Sequence, residues 1–529
     1  MRSWRLEIDP DSRRRLLNEN LLAYRAFTRP SRRLIVFRPE ADDAGRMLPA
    51  SIYWDALIQS CPNAPVKTRS PESDDLSTIG TPRRLVTRLM RWAREQSEPA
   101  AEDSTDSQAM PALYHWLATH PCFDDAMDVM RFRAWKALSY RNESQLSAQL
   151  AARLFGLPLN TSAARLESFA ACPFQHFLRH GLSLQERGDD QVTVVEQGWA
   201  YHQILGRFIG QMLKNNTDWQ QMDPVQRQQA VARIARAVGL TIKGQVLLSS
   251  ARNQYLLDRI ARTAQQVLAA QAAALEHGRF APAFTQVRFG DNGSLPALSL
   301  TTPSGQSVLL QGSIDRIDLL EKSSSAVLYD YKLFGGRLSP GNVYYGLSLQ
   351  LMAALLAIKS GGAALAGREL EPLGAFYVQL HRELKTVKHP DEAVLPDDPT
   401  FHLRIKPRGI FDARCAVSLD GGLTEGKSQV IQCSINKDGQ FSKNSDVVTP
   451  EQFNAILDQA ARTMAELAQQ LLEGMIPIRP YLMNQTSACS RCDLQAVCRF
   501  ETEHNRYLHL DKLNRDQALA LISPASEPQ

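Results

Sequence analysis

The stretch GSIDRIDLLEKSSSAVLYDYK, Gly312 to Lys332, constrains this chain more than any other. Two apolar-alternating runs flank KSSS, a turn composition, so the segment reads as a β-hairpin. With the turn centred near Ser323, residues 315 and 331 face each other to within one register step. Asp315 is thereby set beside Asp330 and Lys332. Side chains alternate faces along a strand, so Asp330 and Lys332 share one face and Tyr331 takes the other. Charged residues that interrupt apolar strands need a reason. Two neighbouring carboxylates resist joint ionisation unless a cation lies between them. Hard oxygen ligands suit Mg²⁺, which keeps several waters and takes phosphate oxygens as further ligands. Such a metal can polarise a phosphodiester and lower the pKa of bound water. A neighbouring lysine can orient that water or steady charge developing on the phosphate. The plain alternative for any one Asp-x-Lys is a surface salt-bridge cluster.

Near the end of the chain, ACSRCDLQAVCRF places Cys489, Cys492 and Cys498 in the spacing C-x2-C-x5-C. Three thiols so close in sequence have the look of metal ligands, and a four-coordinate site needs one more. Eight cysteines in a chain read as cytoplasmic are not expected to form a disulfide framework, because the cytosol keeps thiols reduced. A structural zinc, an iron–sulfur cluster and free thiols all remain open from the spacing alone. Cys61, Cys122, Cys415 and Cys433 have no spacing partner and read as ordinary cysteines.

The 529 residues suggest two to four domains. Residues 1 to about 60 read as compact, with a helix in RRRLLNENLLAYRAF and a strand in RRLIVFRP. The acidic, polar stretch 95–110 reads as a linker, and 111–155 as helical. A second unit opens near Ser162, an N-cap with Glu167 in the turns that follow, Pro173 to kink the helix and Gly181 to stop it. EQGWAYHQILGRFIGQML is a further helix, residues 224–277 are mostly helical, and β pattern runs from Phe284 to Leu333. A helix is expected from Ser339-Pro340 to about Lys359, then strands in 371–435. Thr449-Pro450-Glu451-Gln452 opens a long helix that ends at Gly474. The last residues, 516–529, read as a flexible tail.

GSIDRID…YDYK resembles the core of the PD-(D/E)XK nucleases, in their RecB-like branch. The resemblance implies an α/β fold of restriction-endonuclease type, a mixed sheet flanked by helices, over residues 160–515. It implies metal ligation by Asp315 and Asp330, and assistance to the water by Lys332. WAYHQIL resembles that branch's upstream helix with a metal-binding histidine, His202 here, and LSLQLMAALLA resembles the following helix with its glutamine, Gln350. Two positions depart from the pattern: Ala354 stands where relatives often have Tyr, and Gln286 where many have Glu. One subgroup of the branch, found in AddAB-type helicase-nucleases as their AddB component, carries a [4Fe-4S] cluster held by a C-terminal C-x2-C-x5-C and one cysteine ahead of the nuclease core. That subgroup implies Cys172 as the fourth ligand, 317 residues before Cys489, with the cluster as a structural staple. Single-stranded DNA ends as substrate, an AddA-like helicase-nuclease partner, action at double-strand breaks and cutting of the 5′-ended strand are implied in the same way.

NENLLAYRAFTRPSRRLIVF resembles the last motif of UvrD-like helicases, with Arg29 as its arginine, so residues 1–150 are expected to be a helicase-like remnant and the chain part of a longer or split subunit. GGLTEGKS, Gly421 to Ser428, matches the phosphate-loop pattern letter for letter. A phosphate loop works only when a helix N-terminus follows, and here QVIQCSI reads as a strand, so no ATP site is expected. The formal net charge of +4 is compatible with a polyanionic partner without requiring one. The N-terminus lacks the apolar run of a secretory signal, and the longest aliphatic run, Leu351 to Ile358, is too short to span a bilayer. The expectation is a cytoplasmic, Mg²⁺-dependent DNA exonuclease module; a catalytically weak DNA-binding scaffold subunit is the rival.

Overall fold

A computed structural model describes residues 12–41, 47–66, 79–95, 109–119, 142, 145–185, 192–333, 338–380, 406–502 and 504–523. The chain divides into two compact units, Met1–Arg141 and Asn142–Gln529. The first contains helices Ser12–Thr28, Ile52–Ser60, Pro82–Glu95 and Ala109–Thr119. Leu89 and Met110 form its small core with Leu85, Val86 and Trp92. The helix expected in RRRLLNENLLAYRAF is present, but residues 33–39 form no strand. A strand needs a neighbour to take up its backbone groups, and the described residues here supply only an isolated bridge between Ala41 and Met47. Of the expected linker, residues 96–108 lie outside the described residues, while Met110 is already buried in a helix.

The boundary falls before residue 150 because the chain there is already tied to the second unit: Leu146 N donates to Gly474 O at 2.9 Å. The second unit is organised on a six-stranded mixed sheet. Its strands are β1 (Phe280–Phe289), β2 (Gly312–Leu320), β3 (Ser325–Lys332), β4 (Glu371–Gln379), β5 (Arg408–Asp412) and β6 (Val447–Val448), in the spatial order 6-5-4-3-2-1. Neighbours are antiparallel except β3–β4 and β5–β6, which are parallel. Burial alternates along β3: Ala326 and Leu328 enter one core, Val327, Tyr329 and Tyr331 the other. Helices α1 (Ala163–Ala171), α5 (Gln350–Ala366) and α6 (Pro450–Leu472) complete the first core. Helices α2 (Val194–Lys214), α3 (Pro224–Gly239) and α4 (Ala251–His277) complete the second.

Local signals place these helices. Ser162 caps α1 by accepting from Arg165 N, and α1 ends at Cys172 because Pro173 follows. Thr449 and Gln452 form a capping box at the start of α6. Two expectations are corrected. The helix from Ser339-Pro340 is two helices, Pro340–Tyr344 and α5, because Gly346 turns between them at φ +75° and Glu167 caps the second from outside. The expected tail is ordered as α7 (Arg515–Ile522), capped by Asn514, with Ala518, Leu519 and Ile522 buried; residues 524–529 lie outside the described residues. Arg515 anchors α7 by donating to the carbonyls of Ser445 and Val447. Leu519→Ala should therefore lower stability by about 2–5 kcal/mol in denaturant titrations, where a loose tail would give no change.

Candidate active site

The hairpin register brings the two aspartates together. The pairs Arg316↔Tyr329 through Leu319↔Ala326 set Asp315 opposite Asp330, one step from the sequence expectation and inside its tolerance. Asp315 Oδ2 accepts from Tyr331 N at 2.9 Å, and its Oδ1 lies 2.8 Å from His202 Nδ1 on α2. Single ligand atoms of His202, Asp315 and Asp330 all fall within 4.8 Å of one another. Lys332 Nζ lies 3.0 Å from Asp330 Oδ2 and donates to Gln350 Oε1 at 2.8 Å. The lysine sits at ion-pair distance without the alignment of a hydrogen bond, so the buried Asp330 Oδ2 receives none. An open cleft of about 1540 Å³ exposes all five side chains, with Trp199 and Gln286 also on its walls.

Electrostatics follow from this packing. Burial pushes the Asp330 pKa up to about 7; Lys332 pulls it down and the Asp315 charge adds to the rise. Burial alone would lower the His202 pKa, but its hydrogen bond to Asp315 and the two aspartate charges leave it raised. Two carboxylates, one of them with an oxygen that receives no hydrogen bond, and an imidazole are a donor set that fits a hard divalent cation.

Two neighbours escaped the sequence reading. Glu167 accepts from the backbone N–H groups of Leu349 and, at 2.9 Å, Gln350, and its Oε2 accepts from Gln350 Nε2 at 2.7 Å. Its signal was periodicity: it shares the inward side of α1 with Ala163, Leu166 and Phe169, where a carboxylate needs a partner. Tyr377, opposite Asp330 on β4, carries its ring 5.6 Å from Lys332 Nζ. Gln286 lies in register with Asp315 and donates to His202 O at 3.2 Å, and Ala354 lines the cleft.

The four cysteines also meet. Cys172, Cys489, Cys492 and Cys498 line one pocket of about 350 Å³, walled by Phe174, Leu178, Ile478, Pro480, Leu494 and Phe500. Gln175 Nε2 donates to Cys492 Sγ at 3.4 Å, and Arg179 pairs with Asp493 beside it. The buried Asn142 donates to the carbonyls of Cys498 and Arg499, and exchanges hydrogen bonds with Asn505. Burial pushes the Cys172 thiol up to about 11 and raises Cys489 as well. Cys61 is exposed, and Cys415 and Cys433 are buried elsewhere; Cys122 lies outside the described residues. GGLTEGKS opens no helix: Gly426–Lys427 pairs with Ser434–Ile435 as a short antiparallel ribbon, and Ser428 Oγ donates to Asp420. The strand expected in QVIQCSI is confined to its last two residues.

The sequence model of the PD-(D/E)XK nuclease superfamily matches residues 160–499. The chain belongs to the PD-(D/E)XK nuclease superfamily. It is similar to the B subunit of the ATP-dependent helicase/deoxyribonuclease of Symbiobacterium thermophilum, 30% identical over 98% of this chain and 45% of that protein. The corresponding protein of Moorella thermoacetica is 31% identical over 95% of this chain and 43% of its own length. The chain thus spans about half the length of the curated relatives it matches. No helix among the described residues of this nuclease-superfamily chain is long and apolar enough to cross a membrane.

The raised Asp330 pKa fixes the sign of a stability effect. Between the ordinary carboxylate value and about 7, the folded chain holds a proton that the unfolded chain has released, so ionised Asp330 costs stability as pH rises. Without divalent cations, Asp330→Asn should raise Tm at pH 8, and the gain should shrink steadily as pH falls toward 4. A gain independent of pH would contradict the assignment.

Proposed function

We propose that this chain is a divalent-metal-dependent deoxyribonuclease module that degrades single-stranded DNA ends in the processing of double-strand breaks. The observation that carries the reading is the convergence of His202, Asp315 and Asp330 within 4.8 Å, next to Lys332 in an open cleft. His202, Asp315 and Asp330 hold Mg²⁺ in this reading, and Asp330 Oδ2 has the free lone pairs for it. Bound there, the metal supplies Lewis acidity toward a phosphodiester and a more acidic water. Lys332, fixed by Gln350, places an ammonium where negative charge develops on the phosphate. Gln350 holds that lysine by its carbonyl oxygen and so positions it.

The four-cysteine pocket holds a [4Fe-4S] cluster in the same reading. Buried thiols with raised pKa values ionise only when a cation takes the proton's place. A Cys₄ zinc site would bring the sulfurs to about 3.8 Å from one another. Three clustered thiols with one remote thiol favour a thiolate-held iron–sulfur core, because structural zinc sites more often pair two short C-x2-C knuckles. The cluster joins Cys172, ahead of the sheet, to the segment that follows α6, and its role is structural.

The names of the relatives, each the B subunit of a helicase/deoxyribonuclease, support an AddA-like partner, cytoplasmic action and a helicase-like origin for the Met1–Arg141 unit. A second reading, a DNA-binding scaffold of weak activity, draws on Gln286 and Ala354, where the catalytic pattern is altered.

Anaerobically purified chain with end-labelled single-stranded DNA and Mg²⁺ should degrade the DNA, and Asp330→Ala should abolish degradation. Equal activity in the two proteins overturns the catalytic assignment; none in either, with or without an AddA-like partner, supports the scaffold. Cys172→Ala should lose the visible iron–sulfur absorbance and become more sensitive to limited proteolysis. A zinc-loaded, colourless wild type would overturn the cluster assignment.

A further inference from the structure

Behind the candidate metal site runs a chain of hydrogen bonds whose direction is fixed by chemistry. Lys332 carries an ammonium, which only donates, and it points at Gln350 Oε1 from 2.8 Å. The other end of the Gln350 amide, Nε2, points at Glu167 Oε2 from 2.7 Å. Glu167 Oε1 takes two further donors, the backbone N–H groups of Leu349 and Gln350. Three donors converge on this carboxylate, and a proton placed on it would find no acceptor among them. Glu167 is therefore an acceptor only, despite the burial that raises its pKa.

We propose that Glu167 is a positioning residue: by accepting at both oxygens it forces the Gln350 amide into one orientation, with its carbonyl toward Lys332, and so holds the ammonium beside Asp330. This rests on the nuclease reading above. A glutamine side chain is nearly symmetric in shape, and nothing in its own geometry selects one of its two orientations. The other orientation would set an NH₂ against an ammonium, donor against donor, and leave Lys332 without its second partner. The same carboxylate caps α5, whose N-cap residue Leu349 makes no side-chain cap of its own. Glu167 thus fixes both the start of the helix that bears Gln350 and the polarity of that residue's amide.

Polarity gives a test that bulk packing does not. Glu167→Gln keeps the shape but replaces one acceptor by a donor, so the Gln350 amide must turn or lose its partner. Gln350→Glu sets two carboxylates against each other. In the exchange variant Glu167→Gln/Gln350→Glu the amide and carboxylate trade places. The amide on α1 then donates to the carboxylate on α5, whose second oxygen faces Lys332, and the amide carbonyl still accepts from the two backbone N–H groups. Each full-length variant is purified anaerobically and compared for kcat and KM on single-stranded DNA with Mg²⁺, and for Tm and iron absorbance. Acylation of the Lys332 amine at one fixed pH, followed by mass spectrometry, is measured without DNA.

Glu167→Gln should lower kcat by roughly 10- to 100-fold with little change in KM and speed Lys332 acylation, and Gln350→Glu should lower kcat to a similar extent. The exchange variant should recover most of both. Wild-type kcat and acylation in Glu167→Gln, or an exchange variant no better than the single ones, overturns the proposal. If Glu167→Gln does not fold, the exchange variant decides: wild-type-like Lys332 acylation supports the proposal, and a reactive lysine or an unfolded protein overturns it. If wild-type chain does not degrade DNA with or without an AddA-like partner, the nuclease reading fails, while the acylation comparison still decides the role of Glu167.

Discussion

The cost of setting Asp315 and Asp330 side by side on two neighbouring, largely buried strands governs the architecture around them. Like charges at this separation oppose each other, and burial adds a desolvation penalty to each. The relief arrives from different elements: Tyr331 N on the neighbouring strand, His202 on α2 and Lys332 two residues along β3. Asp330 Oδ2 has Lys332 as an ion-pair neighbour but receives no hydrogen bond, so its lone pairs suit a cation. The position of α5 follows from the parallel pairing of β3 with β4. A parallel connection needs a crossover, and its helix opens after the chain has left the end of β3. Gln350, the first residue of that helix, therefore meets Lys332, the last residue of that strand.

Helix α1 joins this centre to the cysteine pocket. Glu167 faces the start of α5 from its middle, and Cys172 closes its C-terminal end against the Cys489–Cys498 segment. Only about one and a half turns separate the two residues on the same rigid element. The contacts around the pocket close very long stretches of chain: Gln175 reaches Cys492, and Asn142 reaches Asn505.

What was legible in the sequence was what is local. The hairpin could be read because turn, alternation and charge all lie within Gly312–Lys332, and its register came out within one residue. The cysteine spacing was equally local, but residues alone could not nominate Cys172; family resemblance did, and the pocket then placed it with the other three. The misreadings are non-local. RRLIVFRP has strand composition without a partner strand among the described residues, and 515–522 has a tail's position but an apolar side with a core to bury it in. The break before α5 was invisible because its cap, Glu167, stands more than 180 residues upstream.

Gln286 shows how far a departure from the family pattern can be rationalised. In register with Asp315, a glutamate there would add a third carboxylate to a pair already in conflict. The amide instead donates to His202 O and tethers the helix that delivers the imidazole. Its left-handed backbone, φ +51°, and its contact with α2 come as a set: a Cβ at Gly206 would fall 2.4 Å from the Gln286 side chain, so that helix position accepts only glycine without movement. Charge lost at the metal site is thus exchanged for rigidity behind His202. Two carboxylates balanced against Lys332 leave one net negative charge near the imidazole, which is a moderate rather than strong attraction for a divalent cation.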